Sequence, residues 1–509
     1  MINNRIWIKR ITSIAIITVL VGSGLLLQVK PVQAVVFTLT VDTVVDDPTK
    51  TACISVLAND CSLRGAITHI NADPTFPAPE YHIVLGTNTY TLTHHGINEN
   101  VNATGDLDIT YPGAISIDGA GALTVISGDL ADRVIELHSG TVSLSMLSVK
   151  NGMIIGVPER GGGIYAGPGT TLNLSGVEVA SNSSNSKGGG IGANHSTVFL
   201  FLCDINNNQA PDGGGMLVQD SNLTAIGVTF SGNTATSDSG GGLEVINGSA
   251  MIYLSIFFDN SANRGGGIFS SSTMSVFDSA ILGNHATTEG GGILAYQTFN
   301  LERAYVSGND AFHGAGLSFN SSTFNLIDVT IANNTSVGTS AVEAFESTTA
   351  LIGTFDHVTI TGNTSSNVGS PLGPVALFVY SGSVRLMNSI INATDGNAAC
   401  ELGTSNAFLT SFDYNIASDG SCNLILTHDH PNTDPQIKPP EYYGGLTLIA
   451  PPIAGSIAID NANPSFSPTD IDQRGAKRAD GDFNGSVIPD IGASEFLPIQ
   501  SFIPMIRKP

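Results

Sequence analysis

The sequence predicts an all-β solenoid, a parallel β-helix with about 25 residues per coil and a cap at each end. Three observations support this fold class. An apolar residue followed three positions later by asparagine recurs roughly every 25 residues through the middle of the chain. Glycine triplets keep nearly the same period, and the segments between them are short and rich in β-branched residues. Short strands at this period favour one β-helix coil per repeat over helical, leucine-rich or propeller repeats.

The segment 1–34 has the order of a secretory signal peptide. Arg5, Lys9 and Arg10 precede an apolar run over 11–27, and the sequence VQA at 32–34 matches a small-residue cleavage site. We therefore predict export with cleavage after this site, and an uncleaved anchor helix is the alternative. We expect no transmembrane segment after signal removal, because no later segment is apolar over a spanning length.

The mature chain is predicted to be strongly acidic. The full sequence has 19 basic and 43 acidic residues, and the segment 1–34 contains four of the basic ones and none of the acidic ones. An excess of negative charge repels phosphate backbones and anionic membrane surfaces. We therefore expect no nucleic-acid partner. The oligomeric state is not determined by the sequence.

The repeats divide the chain into regions. We predict an N-terminal cap over 35–82, the β-helix over 83–395, a C-terminal region over 396–497 and a tail over 498–509. Within the first cap, CSLRGAITHINA at 61–72 is typical of a short helix. Caps are expected because stacked strands expose an unpaired edge at each end.

Asparagine is predicted at one corner of each coil and glycine at the next. Equivalent residues stack about 4.8 Å apart, so the asparagine amides can bond along the column while they adopt a left-handed turn conformation. Glycines allow positive φ and close backbone approach. The predicted ladder consists of Asn182, Asn208, Asn233, Asn260, Asn284, Asn309, Asn334 and Asn363.

Five cysteines in an exported chain suggest disulfide bonds. Proximity in the sequence predicts two local bridges, Cys53 with Cys61 and Cys400 with Cys422. Cys203 lies alone within the repeats, where we expect a buried thiol.

The strand after each glycine triplet alternates in a way that sets its inward face. Its first and third residues are predicted to point inward and its second residue outward. Apolar outward residues form a candidate stripe for a ligand or partner, and cover by a neighbouring loop is the alternative. The stripe consists of Tyr165, Leu217, Phe269 and Leu294, with Tyr296 nearby.

Several segments resemble known bacterial families. CSLRGAI at 61–67, followed by GDLDIT and DRVIEL, resembles the N-terminal signature of the CSLREAI-domain proteins, with Gly65 where that signature has Glu. The segment from Ile471 to Phe496 resembles the C-terminal module of the choice-of-anchor Q proteins. The GGG[IL] and FxxN repeats are similar to polymorphic outer membrane protein repeats. These resemblances imply an exported right-handed parallel β-helix at the cell surface or outside the cell, and they imply no catalytic residue.

One acidic segment is a candidate calcium loop. Asp480, Asp482 and Asn484 alternate in DGDFNGSVIPD, as the first oxygen ligands of an EF-hand-like loop do. The closing carboxylate, Asp490, falls one position early and follows a proline. Calcium is the cofactor that this loop suggests, and a solvated acidic turn is the alternative.

Other acidic and histidine residues give weaker patterns. Asp278, Asp328 and Asp356 lie six or seven residues before a ladder asparagine. Two carboxylates that flank a glycosidic bond could perform acid/base catalysis. The alternative is that each aspartate caps backbone amides before a turn. The histidines at 94–95 and 428–430 lack a third metal ligand at a recognised spacing.

The sequence favours a non-enzymatic protein, exported to the cell surface or beyond, with an adhesive or structural role. The outer membrane is the expected location if the organism has one. The expected partners are polysaccharides or cell-envelope components. The alternative is a polysaccharide-active enzyme of the lyase, glycoside hydrolase or epimerase type, since one fold supports many functions.

Overall fold

The structure is a computed structural model, and it confirms the predicted parallel β-helix. It describes residues 35–53, 58–96, 99–155, 160–320, 323–345, 351–365, 375–394, 396–465, 470–478, 485 and 487–496. These residues form a parallel β-solenoid of about 11 turns, with about 26 residues in each turn and nearly no helix. The predicted signal peptide at 1–34 and the predicted tail at 498–509 lie outside the described residues.

The described residues divide into two compact units. The first unit extends to Thr298 and also contains Asn309–Phe312, and the second contains Phe299–Gly308 and the chain from His313 onwards. In each unit, the turns contribute parallel strands to columns, which we name A to D in the order in which a turn visits them. Column A follows the glycine triplet, column C precedes the ladder asparagine, and column D follows it.

In the first unit, all four columns are present. Column A contains Leu107–Ile109, Ile135–Leu137, Ile164–Ala166, Ile191–Asn194, Met216–Gln219, Leu243–Ile246, Ile268–Ser270 and Ile293–Ala295. Column B contains Val36–Thr40, Glu80–Val84, Ala114–Asp118, Thr141–Ser145, Thr171–Ser175, Thr197–Phe201, Asn222–Ile226, Ser249–Tyr253 and Thr273–Phe277. Column C contains Thr89–Thr91, Val125–Ser127, Ser148–Lys150, Glu178–Ala180, Asp204–Asn206, Thr229–Ser231, Ile256–Phe258 and Ala280–Leu282. Column D contains Met153–Ile154, Ser183–Ser184, Gln209–Ala210, Thr234–Ala235, Ser261–Arg264, His285–Glu289 and Asp310–Ala311.

The second unit repeats this arrangement with some longer strands. Column A contains Leu317–Asn320, Ser340–Phe345, Val375–Val379 and Ala398–Leu402. Columns B and C contain Phe299–Glu302, Tyr305–Ser307, Thr323–Ala332, Ile352–Thr361, Gly382–Met387, Ile390–Asn392, Ala407–Ser411 and Ile416–Ala417. Column D contains Thr335–Ser336 and Thr364–Ser365. The two longest of these strands, Thr323–Ala332 and Ile352–Thr361, each serve both columns B and C.

The predicted helix is present and covers the beginning of column A. It spans Leu63–Asn71, and the hydroxyl of its N-cap, Ser62, accepts the Gly65 N–H at 2.9 Å. The Arg64 guanidinium donates to the carbonyls of residues 105 and 106, and the Asn71 amide donates to the carbonyl of Asp108, each at 2.7 Å. Side chains of the helix therefore satisfy an edge that would otherwise be unpaired.

The ladder asparagines are buried and bond to one another along the column. The Nδ2 group of Asn233 donates to Oδ1 of Asn260 at 2.9 Å and to the carbonyl of Ile205 at 2.8 Å. Its Oδ1 atom accepts both the backbone N–H and the Nδ2 group of Asn208. Amide-to-amide bonds of this kind connect Asn182 to Asn208, Asn208 to Asn233, Asn233 to Asn260, Asn260 to Asn284, Asn284 to Asn309 and, in the second unit, Asn334 to Asn363.

The left-handed conformation does not belong to the ladder asparagines, and this corrects the sequence interpretation. Positive φ occurs at the residue immediately before them, such as Asn207 at 53° and Asp259 at 52°. The ladder residue must direct its amide into the interior, so its predecessor makes the bend. Asparagine, aspartate and glycine dominate that preceding position because they tolerate positive φ best.

The glycine triplets meet two separate requirements. The first glycine has positive φ, as at Gly213 (60°) and Gly240 (70°). The third glycine lies against the ladder, and a Cβ atom on Gly190 would meet Nδ2 of Asn208 at 2.8 Å. An asparagine is therefore followed by glycines because its buried amide occupies the space that a side chain would need.

Both predicted disulfides form. Cys53 bonds to Cys61 beside the helix, and Cys400 bonds to Cys422 in the second unit. Cys203 is a buried free thiol, as expected, and burial raises its pKa to about 11. A thiol in this environment is inert because the reactive thiolate is suppressed.

Two parts of the predicted C-terminal region pack at different places in the second unit. His430 forms a β-bridge with Ile416, so this part of the chain pairs with the final turn. Farther along, Ala458, Ala462 and Ile491 pack on the outward side chains of Ile390 and Ile416. The region therefore caps the last strands and also covers part of the outer face of column C.

Replacing a ladder residue should destabilise the protein strongly. In Asn233→Ala, two donors of Asn208 and the carbonyl of Ile205 lose their buried partner. We expect a loss of about 2 to 3 kcal/mol in the free energy of unfolding, measured by urea denaturation. Asn222→Ala is the matched control, because Asn222 is exposed in the same unit. Equal urea midpoints for the two variants would contradict the importance of the ladder.

Candidate binding surface and charged clusters

An exposed apolar strip lies on column B of the first unit. Four successive strands contribute apolar outward residues to it. These residues are Phe199, Phe201, Ile226, Met251, Tyr253 and Phe277. Phe199, Phe201 and Met251 expose 46%, 43% and 53% of their surface. We call this set the apolar strip. Contiguous exposed apolar surface of this kind is typical of a binding site.

The strip follows from the strand register. Phe201, Ile226, Tyr253 and Phe277 occupy the same position in four paired strands, so their side chains stack along the column. The rings of Tyr253 and Phe277 lie 5.0 Å apart and nearly parallel, at 11°. Polar outward residues, among them Asn222, Thr224, Ser249, Thr273 and Ser275, lie between and beside the apolar ones. The surface therefore offers apolar edges together with hydroxyl and amide groups.

The stripe predicted on column A is mostly covered. Leu217 and Leu294 are fully buried, and Phe269 is buried. The glycine turn of the same coil lies over them. At Gly213, for example, an added Cβ atom would lie only 3.1 Å from the Cβ atom of Leu217. Leu217 and Leu294 therefore present no surface to a partner. This outcome agrees with the alternative, in which a neighbouring part of the chain covers the outward apolar residues.

The two tyrosines of the predicted stripe keep some exposure. Tyr165 lies under the guanidinium of Arg133, whose central carbon is 5.3 Å from the ring centroid. The Tyr296 hydroxyl donates to Glu289 at 3.3 Å and accepts from Arg264 at 3.4 Å. A binding role for these tyrosines stays a prediction. The apolar strip on column B was missed, although the unbroken apolar run VFLF over 198–201 carries its signal, since alternate residues of a strand face outward.

A cluster of charged residues lies at the beginning of column A. Asp108 and Glu136 occupy the same outward position on paired strands, and His138 follows Glu136 by two residues. Nε2 of His138 lies 2.9 Å from Oδ1 of Asp108 and 3.7 Å from Oε1 of Glu136. The guanidinium of Arg133 pairs with Glu136 and, at 3.0 Å, with Asp106. We call Asp108, Glu136 and His138 the histidine–carboxylate cluster.

Burial dominates the electrostatics beside this cluster. It raises the pKa of Asp106 to about 8, although the Arg133 charge favours ionisation, and the nearby charges of Asp108 and Asp132 raise it further. Asp108 and Asp132 therefore lie close enough to Asp106 to oppose its ionisation. The segments GDLDIT and DRVIEL supply Asp106, Asp108, Arg133 and Glu136, but the sequence does not reveal that the segments meet.

A second buried carboxyl lies farther along column A. Glu244 exposes 2% of its surface, accepts the Ser239 hydroxyl at 2.9 Å, and has no partner for Oε2 among the described residues. Burial raises its pKa to about 7, the Lys187 charge lowers it, and Asp212 raises it. Lys187 and Asp212 pair at 2.8 Å on the partly exposed surface. A carboxyl group that titrates near neutrality can exchange protons at physiological pH.

The candidate calcium loop lies largely outside the described residues. This applies to Asp480, Asp482 and Asn484. Asp490 is described and fully buried, and its two oxygens accept the backbone N–H groups of Asp460 at 2.7 Å and Phe496 at 2.5 Å. Burial and the neighbouring Glu495 raise its pKa to about 8. Asp490 therefore fixes the backbone of the C-terminal region, and its role as a calcium ligand stays a prediction.

The aspartates considered for acid/base work lie in turns or in buried networks. Asp328 is fully buried and pairs with Arg478, which also pairs with Glu495. Asp356 accepts the Asn388 amide at 3.1 Å. In the first unit, Asp278 has a φ of 50° at the bend between columns B and C. Asp328 has the same conformation, with a φ of 55°, which fits the turn alternative.

Two of the histidines at 94–95 and 428–430 pair with a carboxylate. His95 lies 3.1 Å from Asp129 in the first unit. In the second unit, His428 lies 2.8 Å from Asp413 and stacks on the Tyr414 ring. Each of these contacts involves one carboxylate and one exposed imidazole.

The chain has distant structural similarity to several β-helix enzymes, and no family model or curated protein matches it. It is similar to pectate lyase Pel9A, with 12% identity and a TM-score of 0.35 over 91% of this chain and 96% of that one. It is similar to the A-module of the Azotobacter vinelandii mannuronan C-5 epimerase AlgE6, with 12% identity and a TM-score of 0.34 over 71% and 96%. A GH87 alpha-1,3-glucanase from Streptomyces thermodiastaticus shows 14% identity and a TM-score of 0.32 over 76% and 69%.

These values do not assign an activity to this chain. Among the residues that the structure describes, no helix is both long and apolar enough to cross a membrane.

Removing the charge of Glu495 should flatten the pH dependence of stability. Burial raises the pKa of Glu495 although Arg478 opposes this, and the pKa of the adjacent Asp490 is raised as well, so in the folded state this carboxyl pair retains a proton that the unfolded state releases. Stability therefore falls as the pH rises above about 4.5, by about 1.4 kcal/mol for each unit by which folding raises the pKa.

Glu495→Gln carries a permanently neutral group. We therefore expect its urea midpoint at pH 8 to exceed that of the wild type, with a smaller difference at pH 5. Glu441→Gln, at an exposed position of the same unit, should behave as the wild type does. Parallel pH profiles for Glu495→Gln and the wild type would refute this assignment.

Proposed function

We propose that this chain is an exported β-helix protein of the cell surface or the surrounding matrix, with an adhesive role. The apolar strip carries the proposal. In part of the second unit the chain covers its own outward apolar residues, as Ala458 and Ile491 cover Ile390. On the strip, Phe199 and Met251 remain exposed within the described part of the chain. Exposed aromatic and aliphatic side chains of this extent are costly in solution unless a partner covers them.

The composition of this surface favours a neutral polysaccharide as the partner. Aromatic edges and methionine supply apolar contact with sugar rings, and the interleaved threonine, serine and asparagine side chains supply hydrogen bonds. The acidic balance of the chain disfavours anionic glycans because like charges repel. The repeated spacing of about 4.8 Å between strands presents these groups at regular intervals along an extended ligand.

Removing aromatic residues from the strip should weaken adhesion without unfolding the protein. We expect the double variant Phe201→Ser/Tyr253→Ser to bind insoluble neutral glucans about tenfold more weakly, since each ring contributes roughly 0.5 to 1.5 kcal/mol. Binding is measured by depletion from solution, and added salt should not weaken it. Leu123→Ser is the control, because Leu123 is 74% exposed in a loop of the same unit. Equal binding by both variants would reject the strip as the adhesive surface.

The burial of Glu244, whose Oε2 atom has no partner among the described residues, favours the enzyme alternative, because burial raises the pKa of this carboxyl although the charge of Lys187 lowers it. A polysaccharide-active enzyme that used this carboxyl as a general acid or base would release product with a pH profile that turns near 7. Glu244→Gln should then abolish release of unsaturated or reducing ends. Glu178→Gln, which removes a partly exposed carboxylate paired with Lys150, should leave it unchanged. Binding without product from the wild type would support adhesion alone.

A further inference from the structure

The histidine–carboxylate cluster has the arrangement of a metal site. Asp108 and Glu136 face outward from adjacent strands, Leu107–Ile109 and Ile135–Leu137, which pair in register. His138 occupies the next outward position after Glu136. Oδ1 of Asp108, a carboxylate oxygen of Glu136 and a ring nitrogen of His138 all lie within 4.8 Å of one another. Tetrahedral ligands bonded to one cation at about 2.0 to 2.2 Å lie roughly 3.3 to 3.6 Å apart, so small movements of these side chains would bring the three atoms to a common ion.

Neighbouring groups hold the two carboxylates in place. Asp108 is fully buried, and its Oδ2 atom accepts the backbone N–H of Asn102 at 3.1 Å. Oε2 of Glu136 accepts a bond from Arg133. The other oxygen of each carboxylate is directed towards Nε2 of His138. Supporting hydrogen bonds of this kind orient the ligands of metal sites.

Asn102 lies between Asp108 and the helix. The side-chain oxygen of Asn102 is buried and has no hydrogen-bond partner among the described residues. The backbone N–H of the same residue bonds to Asp108. Its Nδ2 group donates to the Arg64 carbonyl and to the Thr68 hydroxyl, each at 2.9 Å, so Asn102 connects the Asp108 carboxylate to the helix and helps to fix its position.

Other histidine–carboxylate contacts of the first unit differ from the cluster. His82 pairs with Asp118, and their side chains are 33% and 39% exposed. His285 pairs with Asp310, and both side chains are 47% exposed. His95 pairs with Asp129, and both are about half exposed. Each of these pairs brings one carboxylate to the imidazole, whereas His138 has two, one of them inaccessible to solvent. The cluster is therefore distinguished by ligand number and by burial.

We propose that Asp108, Glu136 and His138 bind one zinc ion. Carboxylate oxygen and imidazole nitrogen are both zinc ligands, and three protein ligands leave a fourth tetrahedral position for water. The partial exposure of His138 gives that position access to solvent. Imidazole disfavours calcium and magnesium, which prefer oxygen ligands alone. This site is independent of the candidate calcium loop and of the apolar strip.

Zinc binding to the mature chain, stripped of metal by a chelator, tests the proposal. Isothermal titration with zinc chloride gives the stoichiometry and affinity, and cobalt(II) gives a visible absorption spectrum that reports a tetrahedral site. We expect His138→Ala to weaken the zinc affinity by at least about tenfold and to remove the tetrahedral cobalt spectrum. His285→Ala is the matched control, because it removes a histidine that faces a single carboxylate, and it should bind as the wild type does.

Two results would overturn the proposal. One is a wild-type chain that takes up neither metal. The other is His138→Ala with the affinity and the cobalt spectrum of the wild type, which would place the metal at other histidines. Asp108→Asn provides a second variant if His138→Ala does not fold, as judged by circular dichroism. It retains the shape of the side chain while it removes the charge, and we expect it to lose the tetrahedral cobalt spectrum as well.

Discussion

In both units, the turns that carry the ladder are held in register by one repeated hydrogen bond, from the amide nitrogen of a buried asparagine to the amide oxygen of the next asparagine. A slip of one residue in such a turn would leave the donors and acceptors of that amide unpaired in the interior, where each unpaired group costs about 1 to 3 kcal/mol. A slip of one residue would also turn the inward side chains of the strands outward, so the buried face and the ladder favour the same register. The ladder therefore selects one register, and the third glycine of each triplet makes the space in which the amide lies.

A fixed register determines the outer surface as well as the interior. Because Phe201, Ile226, Tyr253 and Phe277 occupy one position in four paired strands, their side chains form a continuous strip. The same rule places Asp108 directly beside Glu136 on column A. Binding surfaces in a β-helix thus combine residues that are neighbours in space although they lie a full turn apart in the sequence.

The sequence predicted the features that repeat or that lie close together in the chain. The period identified the solenoid, and short separations identified the partners of Cys53 and Cys400. Alternation identified which residues face outward, but it did not reveal that the glycine turn buries Leu217. It also could not assign the bend to the residue before the ladder asparagine, since both positions are rich in turn-forming residues. The meeting of His138 with Asp108 depends on the stacking of two turns and has no local signal.

Position 65 is glycine in this chain, whereas the N-terminal signature that the segment resembles has glutamate. The glycine has a physical reason here. Gly65 lies in the first turn of the helix, and a Cβ atom there would lie 2.0 Å from the carbonyl oxygen of Lys50. That carbonyl accepts the N–H of Ser62 at 3.1 Å, so the segment before the disulfide packs directly against the helix. A glutamate cannot occupy this position without moving that segment, which Cys53 and Cys61 hold beside the helix. The glycine therefore permits a close contact between backbones, while Arg64 at the preceding position retains its bonds to Asp46 and to the strand that begins column A.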